Sequence, residues 1–268
     1  MSNQLLSQIQ ILSDIHLECL ADKDTGFVFE NLCPPMAEYL FLAGDIGQLK
    51  SPHWQRFMTY VSQNWKHVFY ALGNHELYSC NNSYDTLITN YQAYLAQYSN
   101  IHLLNRDKFK LAIHGVEYDI VGTTMWSQAE FALAMQISDF RHIKYHDARG
   151  WLQPISIQEF NRLHQRDHTW LMDNLDPTRN TIILTHFPLT QQGTSADKYS
   201  DQKPALRNYY ANNMHGELTG KLGSSQSSQS DNNVNWTVIS GHTHFNYNFE
   251  LDGIRYVANQ LGYPDDDT

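Results

Sequence analysis

The stretch SGHTHFNYNF, Ser240 to Phe249, sets two histidines, His242 and His244, directly behind a glycine. The run before it, WTVIS, is apolar and β-prone and reads as a buried strand; the run after it alternates. Imidazoles pack poorly at the end of a buried strand but bind metals well. Other apolar runs finish in the same way. QIQILSD (8–14) leads into SDIHLE, with Asp14 and His16. EYLFLAGD (38–45) ends on Asp45, and KHVFYALGN (66–74) ends on Asn74 with His75 next. NTIILTHFP (180–188) carries His186.

These runs alternate with helical patterns. PHWQRFMTYVSQNW (52–65), SYDTLITNYQAYLAQY (83–98) and ISIQEFNRLHQRDHTWLMDNL (155–175) have apolar residues at helical spacing, the last opening near Ser156. A βαβ rhythm with short apolar strands predicts a central sheet covered on both faces. KFKLAIHGVEYDIVG predicts a hairpin turning at His114-Gly115, and FNYNFEL-DG-IRYVANQ a second hairpin with a two-residue Asp-Gly turn. Residues 191–235 are polar and end in the low-complexity run KLGSSQSSQSDNN (221–233). They read as one mobile insertion in a single domain spanning 1–268, with a short helix in KPALRNYYANNM (203–214).

In a sheet with helical crossovers the carboxyl ends of the strands converge on one rim, where ligands bind. In Asp14-x-His16 and His242-x-His244, strand alternation puts both members of a pair on one side, able to face one ion. Gly44, Gly73 and Gly241 precede the key residues and permit sharp turns and close approach. Histidine, carboxylate and amide oxygen together suit manganese, iron or zinc. The set exceeds what one tetrahedral ion takes and suits two ions sharing a carboxylate. Such a pair lowers the pKa of a bridging water and clamps the attacking and leaving oxygens of a displacement at phosphorus. Each motif alone has an ordinary explanation as a turn or a cap. Their conjunction, each behind an apolar strand, does not.

The bulk numbers agree. The formal net charge is -10, against a nucleic-acid polymer as partner but compatible with a small phosphorylated substrate whose charge a metal meets locally. Three cysteines, Cys19, Cys33 and Cys80, with no CxxC pair, indicate neither a disulfide framework nor a thiolate zinc site. The start MSNQLLSQIQIL has no basic leader, and no run is long enough to span a membrane; the reading is a soluble, cytoplasmic protein with no membrane partner.

SDIH, GD, GNHE, TH and GHTH, in that order, resemble the motifs of the calcineurin-like metallophosphoesterases, and the resemblance runs from Asp14 to His244. It implies an α/β (α+β) fold: a four-layer αββα sandwich of two mixed β-sheets flanked by helices. It also implies the roles. Asp14, His16 and His244 would hold one metal, Asn74, His186 and His242 the other, and Asp45 would bridge them. His75 would not be a ligand but would stabilise the scissile phosphate and protonate the leaving oxygen. The implied activity is metal-dependent hydrolysis of a phosphodiester or phosphomonoester, by in-line attack of a metal-bridging hydroxide. A nucleotide pyrophosphohydrolase is the nearest alternative, and a non-catalytic interaction module on the same fold a further one. The sequence runs GDIGQLK where the protein serine/threonine phosphatases have Asp-Arg-Gly, and has Gln48 where the purple acid phosphatases place a tyrosine ligand. SDFRHIKY (138–145) and IRYVANQLGYP also resemble a subgroup of small bacterial members.

Remaining candidates have plainer readings. Arg141 reads as an exposed structural arginine. His164 with His168, and His142 with His146, read as solvated helix faces, with no glutamate base between them. The tyrosines of RNYYANN would reach a base if that segment closes over the site.

Overall fold

The apolar runs form strands buried on both faces, and the two faces go to different partners. In β2 (Tyr39–Leu42), Tyr39 and Phe41 join one hydrophobic cluster while Leu40 and Leu42 join another. In β9 (Asn180–Leu184), Ile182 and Leu184 point one way and Ile183 the other. Such a strand has no solvent face, which is why it reads as continuous rather than alternating.

The computed structural model describes residues 9–20, 26–133, 135–196, 204–223 and 234–263. A four-stranded sheet has the order β1-β2-β3-β4, with β1 Ile9–Leu12, β3 His67–Tyr70 and β4 Ile101–Leu103. Where the sequence led us to expect two mixed sheets, this one is parallel throughout. Each of its connections carries a helix: α1 (Phe29–Leu32), α2 (Pro52–Asn64) and α3 (Tyr84–Leu95). The second sheet is mixed, with the order β11-β12-β10-β9-β6-β5. Its strands are β5 Asp107–Ile113, β6 Val116–Gly122, β9, β10 Trp236–Ile239, β11 Tyr247–Leu251 and β12 Ile254–Ala258. Both expected hairpins form, β5 with β6 and β11 with β12. The Asp252-Gly253 turn has both residues at positive φ, 48° and 79°, as a two-residue type I′ turn requires. A short ribbon pairs β7 (Lys144–His146) with β8 (Leu152–Pro154), just past α4 (Asp139–His142).

Three clusters separate four layers. Ile11, Phe41, Phe69, Ile120, Ile182 and Ile239 fill the space between the sheets. Trp54, Phe57 and Val61 of α2 and Tyr91 of α3 cover the outer face of the parallel sheet. The long helix α5 (Ile157–Asn174), capped by the Ser156 hydroxyl accepting from Glu159 N, serves both sides: Phe160 and Leu163 reach the first outer cluster and Leu171 the other. Among the described residues no helix is long and apolar enough to cross a membrane.

Of the polar excursion at about 191–235, residues 191–196, 204–223 and 234–235 are described, and they include two helices. Within it, α6 (Pro204–Tyr210) and α7 (His215–Gly223) form, and Met214, Leu218 and Leu222 pack on Trp236, Val238 and Tyr256 of the mixed sheet. Three glycines in HGELTGKLG lower its helix propensity and hide the apolar spacing. Residues 224–233 of the low-complexity run lie outside the described residues. Leu218→Ala is expected to cost about 3 kcal/mol in urea denaturation, as for a buried leucine. A cost below about 0.5 kcal/mol would mark α7 as a surface element instead.

Candidate metal centre

The rim of the sheets carries strained backbone. Asp14, His16, Asp45, His242 and His244 all have positive φ, between 47° and 74°. Left-handed backbone costs an L-residue roughly 1–2 kcal/mol and gathers at functional sites. These residues lie past the ends of β1, β2 and β10, not on extended strand, so alternation is not what aims them. It is the left-handed turn that does so. His242 and His244 consequently part company instead of facing one ion: one group brings together Asp14, His16 and His244, another Asp45, His186 and His242.

Several contacts hold the turns. The Asp14 carboxylate accepts from His242 N (2.9 and 3.1 Å), and Asp45 Oδ1 accepts from His75 N (2.9 Å). A Cβ on Gly241 would sit 2.5 Å from Asp14 Oδ2, and one on Gly44 2.5 Å from His186 Nδ1, so both positions need glycine. The buried Glu76 carboxylate accepts from Asp45 N (3.0 Å), Ile46 N (2.7 Å), Gly73 N (2.8 Å) and the Tyr70 hydroxyl (2.6 Å). It clasps the turns after β2 and β3 to each other. Burial and the nearby Asp45 push its carboxyl up to about 7. Gln260 accepts from His244 N (2.7 Å) and donates to Phe245 O (2.7 Å), fixing the turn after β10.

The two groups meet at Asp45. Its Oδ2 lies 3.4 Å from His186 Nε2 and 4.0 Å from His16 Nε2. Asn74 Oδ1 is 2.9 Å from His186 Nε2. The Asn74 amide is oriented from behind: Nδ2 donates to Asp139 Oδ1 at 2.8 Å, which leaves Oδ1 facing the site. Asp139 also accepts from the hydroxyls of Tyr78 (2.6 Å) and Tyr209 (2.8 Å).

This donor set fits metal ions. His186 Nδ1 lies 2.8 Å from the Ala43 carbonyl, which can only accept, so Nδ1 carries a proton. Its Nε2 then faces two oxygens that also only accept, those of Asn74 and Asp45, and needs a cation between. Without a metal that cation is a proton: burial opposes it, but the Asp45 charge overrides and lifts His186 to about 10. His242 Nε2 is buried with no hydrogen-bond partner, and burial together with His186 pushes that ring well below the usual imidazole range. Burial raises Asp14. Burial would raise Asp45 too, but His186 and His75 hold it well below the usual carboxylate range. An orphaned ring nitrogen and two buried carboxylates surrounded by imidazoles are what a pair of cations would satisfy.

His75 stands at the edge of the first group, with Nδ1 3.2 Å from Glu18 Oε1. The same oxygen lies 3.1 Å from His16 Nδ1. Glu18 is thus the orienting carboxylate of His75, and Glu76, its neighbour in sequence, points the other way into the Asp45 turn. Burial lowers the His75 imidazole, but Asp45 and Glu18 outweigh it and raise it to about 9. Sequence reasoning missed Glu18, Asp139, Tyr263 and the bracing role of Gln260. The one signal for Glu18 was its place two residues beyond His16 in SDIHLE.

Other candidates resolve as structure. His164 is buried rather than solvated: its Nδ1 donates to Trp126 O (2.6 Å), while His168 pairs with Glu217 (2.9 Å). Arg141, His142 and His146 are exposed, with His142 stacked on Tyr78. Tyr209 is buried and bound to Asp139, so it cannot stack on a base.

Comparison with known proteins points one way. The family model described as calcineurin-like phosphoesterase matches residues 8–246. An uncharacterized protein of Acanthamoeba polyphaga mimivirus is 27% identical over 269 residues, 95% of this chain and 91% of that protein. The crystal structure of phosphopantetheinyl hydrolase from Mycobacterium tuberculosis superposes with a TM-score of 0.63 at 17% identity, covering 96% of this chain and 90% of that one; at this identity the likeness is one of fold.

The raised His75 has a measurable consequence in metal-free protein. A histidine whose folded pKa is raised from 6.5 to about 9 contributes stability that is fully present below about 6.5 and is lost as pH rises through about 9. The stability difference between wild type and His75→Gln, measured by urea denaturation in chelator, should therefore shrink across that window. A difference independent of pH would refute the Glu18–His75 and Asp45–His75 coupling.

Proposed function

The chain belongs to the calcineurin-like phosphoesterases, and from that membership we propose that it is a hydrolase using two transition-metal ions to cleave a phosphodiester or phosphomonoester. The observation that carries this reading is Asp45, whose Oδ2 lies between the imidazoles of His16 and His186, one from each group. Asp14, His16 and His244 would hold one ion and Asn74, His186 and His242 the other, with Asp45 shared. Manganese, iron and zinc all suit these donors. When bound, such ions supply Lewis-acid stabilisation of the phosphoryl oxygens and a nucleophile at neutral pH.

The protein's own groups do the rest. Asp139 orients Asn74, and Glu18 fixes the rings of His16 and His75 through one oxygen. With Nδ1–H donated to Glu18, His75 has Nε2 for the substrate. As the phosphorus–oxygen bond to the leaving group breaks, Nε2 delivers its proton to that oxygen and the ring becomes neutral. Every ligand position and the acid are filled, which favours an enzyme over a binding module on this fold. Diesters are slightly favoured over monoesters.

The test uses metal-free protein reloaded separately with manganese, iron or zinc, acting on bis(p-nitrophenyl) phosphate and p-nitrophenyl phosphate. On an alkyl phosphate His75→Ala should lose ~10²–10⁴-fold in turnover with its metal content intact, and less on the nitrophenyl esters. Glu18→Ala should lose more on an alkyl phosphate than on a nitrophenyl one, because nitrophenolate departs with little help from an acid. Undiminished turnover by Asp45→Ala of verified metal content would overturn the proposal.

A further inference from the structure

Residues 259–263 follow β12 and run beside the end of β1. Leu261 N donates to Ser13 O (3.2 Å) and Gly262 N to Asp14 O (2.9 Å). At Gly262 the chain turns through φ 83°, which brings Tyr263 over the first ligand group. The phenol ring stacks on His16, with centroids 4.2 Å apart and planes at 25°, and meets His244 edge-on at 4.8 Å. Its hydroxyl lies 2.9 Å from His75 Nε2. The residue is 38% exposed, so it stands at the mouth of the site and not in the core.

No role assigned above uses this tyrosine, yet it touches the working atom of the acid. His75 Nδ1 is committed to Glu18, so Nε2 is the nitrogen from which a leaving oxygen would take its proton. A phenol hydroxyl accepts from an imidazolium and donates to a neutral imidazole. A leaving alcohol does the same before and after proton transfer. We propose that Tyr263 occupies the leaving-group subsite of the free protein and selects substrates by the flat group that takes its place on His16. This deepens the hydrolase reading and rests on His75 as its acid. The substrate class is a phosphoester whose leaving group bears a planar aromatic or heterocyclic ring. The hydrogen bonds donated by Leu261 N and Gly262 N hold the segment through its backbone and do not involve the Tyr263 side chain.

The experiment compares metal-loaded wild type, Tyr263→Ala and Tyr263→Phe. It reads kcat/KM for phenyl phosphate and methyl phosphate, and Kd for phenylphosphonate and methylphosphonate, which are not hydrolysed. A methyl group leaves the Tyr263 ring on His16 whereas a phenyl group must displace it, so Tyr263→Ala should raise the phenyl-to-methyl ratio about tenfold in both series. Tyr263→Phe keeps the ring but loses its tether and should fall between. Metal content should match wild type in both. If the variants change both members of each pair by the same factor, Tyr263 only braces His75 and the proposal fails. If wild type turns over no ester and binds neither phosphonate, the hydrolase reading fails and takes this proposal with it.

Discussion

Asp14 and Asp45 are buried carboxylates, and among the described residues every ion pair they make is with a histidine. A carboxylate taken out of water costs several kcal/mol unless a charge or well-placed donors compensate it. An imidazole is a conditional partner, charged only while it keeps its proton. The field of the two aspartates makes His186 keep its proton far above the ordinary range. The rest of the rim follows from this concentration of negative charge. The left-handed residues, the glycines that admit side chains close to backbone, and the convergence of imidazoles all serve to bring donors around it. As packing alone they would be a net cost.

The other buried acids are handled differently. Glu76 is met by four backbone amides and a tyrosine hydroxyl, and Asp139 by an asparagine amide and two tyrosine hydroxyls. Hydrogen-bond donors satisfy these acids, which therefore need no cation. Their effect is geometric. Glu76 ties the end of β2 to the end of β3 and so fixes Asp45 relative to Asn74, while Asp139 fixes which atom of Asn74 faces inward. The contrast separates the roles: acids answered by dipoles alone build the frame, and acids whose ion-pair partners are imidazoles form the centre.

Much of this was legible in the sequence because burial on both faces writes itself as an unbroken apolar run, and a polar residue at the end of such a run has few reasons to be there. Asp14, Asp45, His186 and His242 stood out on that ground. The Asp252-Gly253 turn was equally plain, since few pairs accept its backbone angles. The separation of His242 from His244 was not legible from spacing. It depends on a left-handed turn that an alternating pattern cannot encode, and only the family resemblance anticipated it. Glu18 and Asp139 were hidden for another reason: each acts through a neighbour distant in sequence, His75 for one and Asn74 for the other. Helix α7 was masked by its own glycines, which a packed surface tolerates although an isolated helix does not.

The same charge arrangement orders events in the proposed reaction. The chain carries a formal charge of -10, and Asp14, Asp45 and Glu18 concentrate part of it at the centre. Its ion pairs among the described residues include no lysine or arginine at Asp14, Asp45 or Glu18. In the metal-free centre protonated His75 and His186 answer the charges of Asp45 and Glu18, which leaves little positive charge for a phosphate dianion. Two divalent ions, as proposed, would supply that positive charge locally. Under the proposed function metal loading would precede productive substrate binding, and the formal charge of -10 would work against long polyanions, whose charge extends beyond the centre, more than against a small ester that fits inside it.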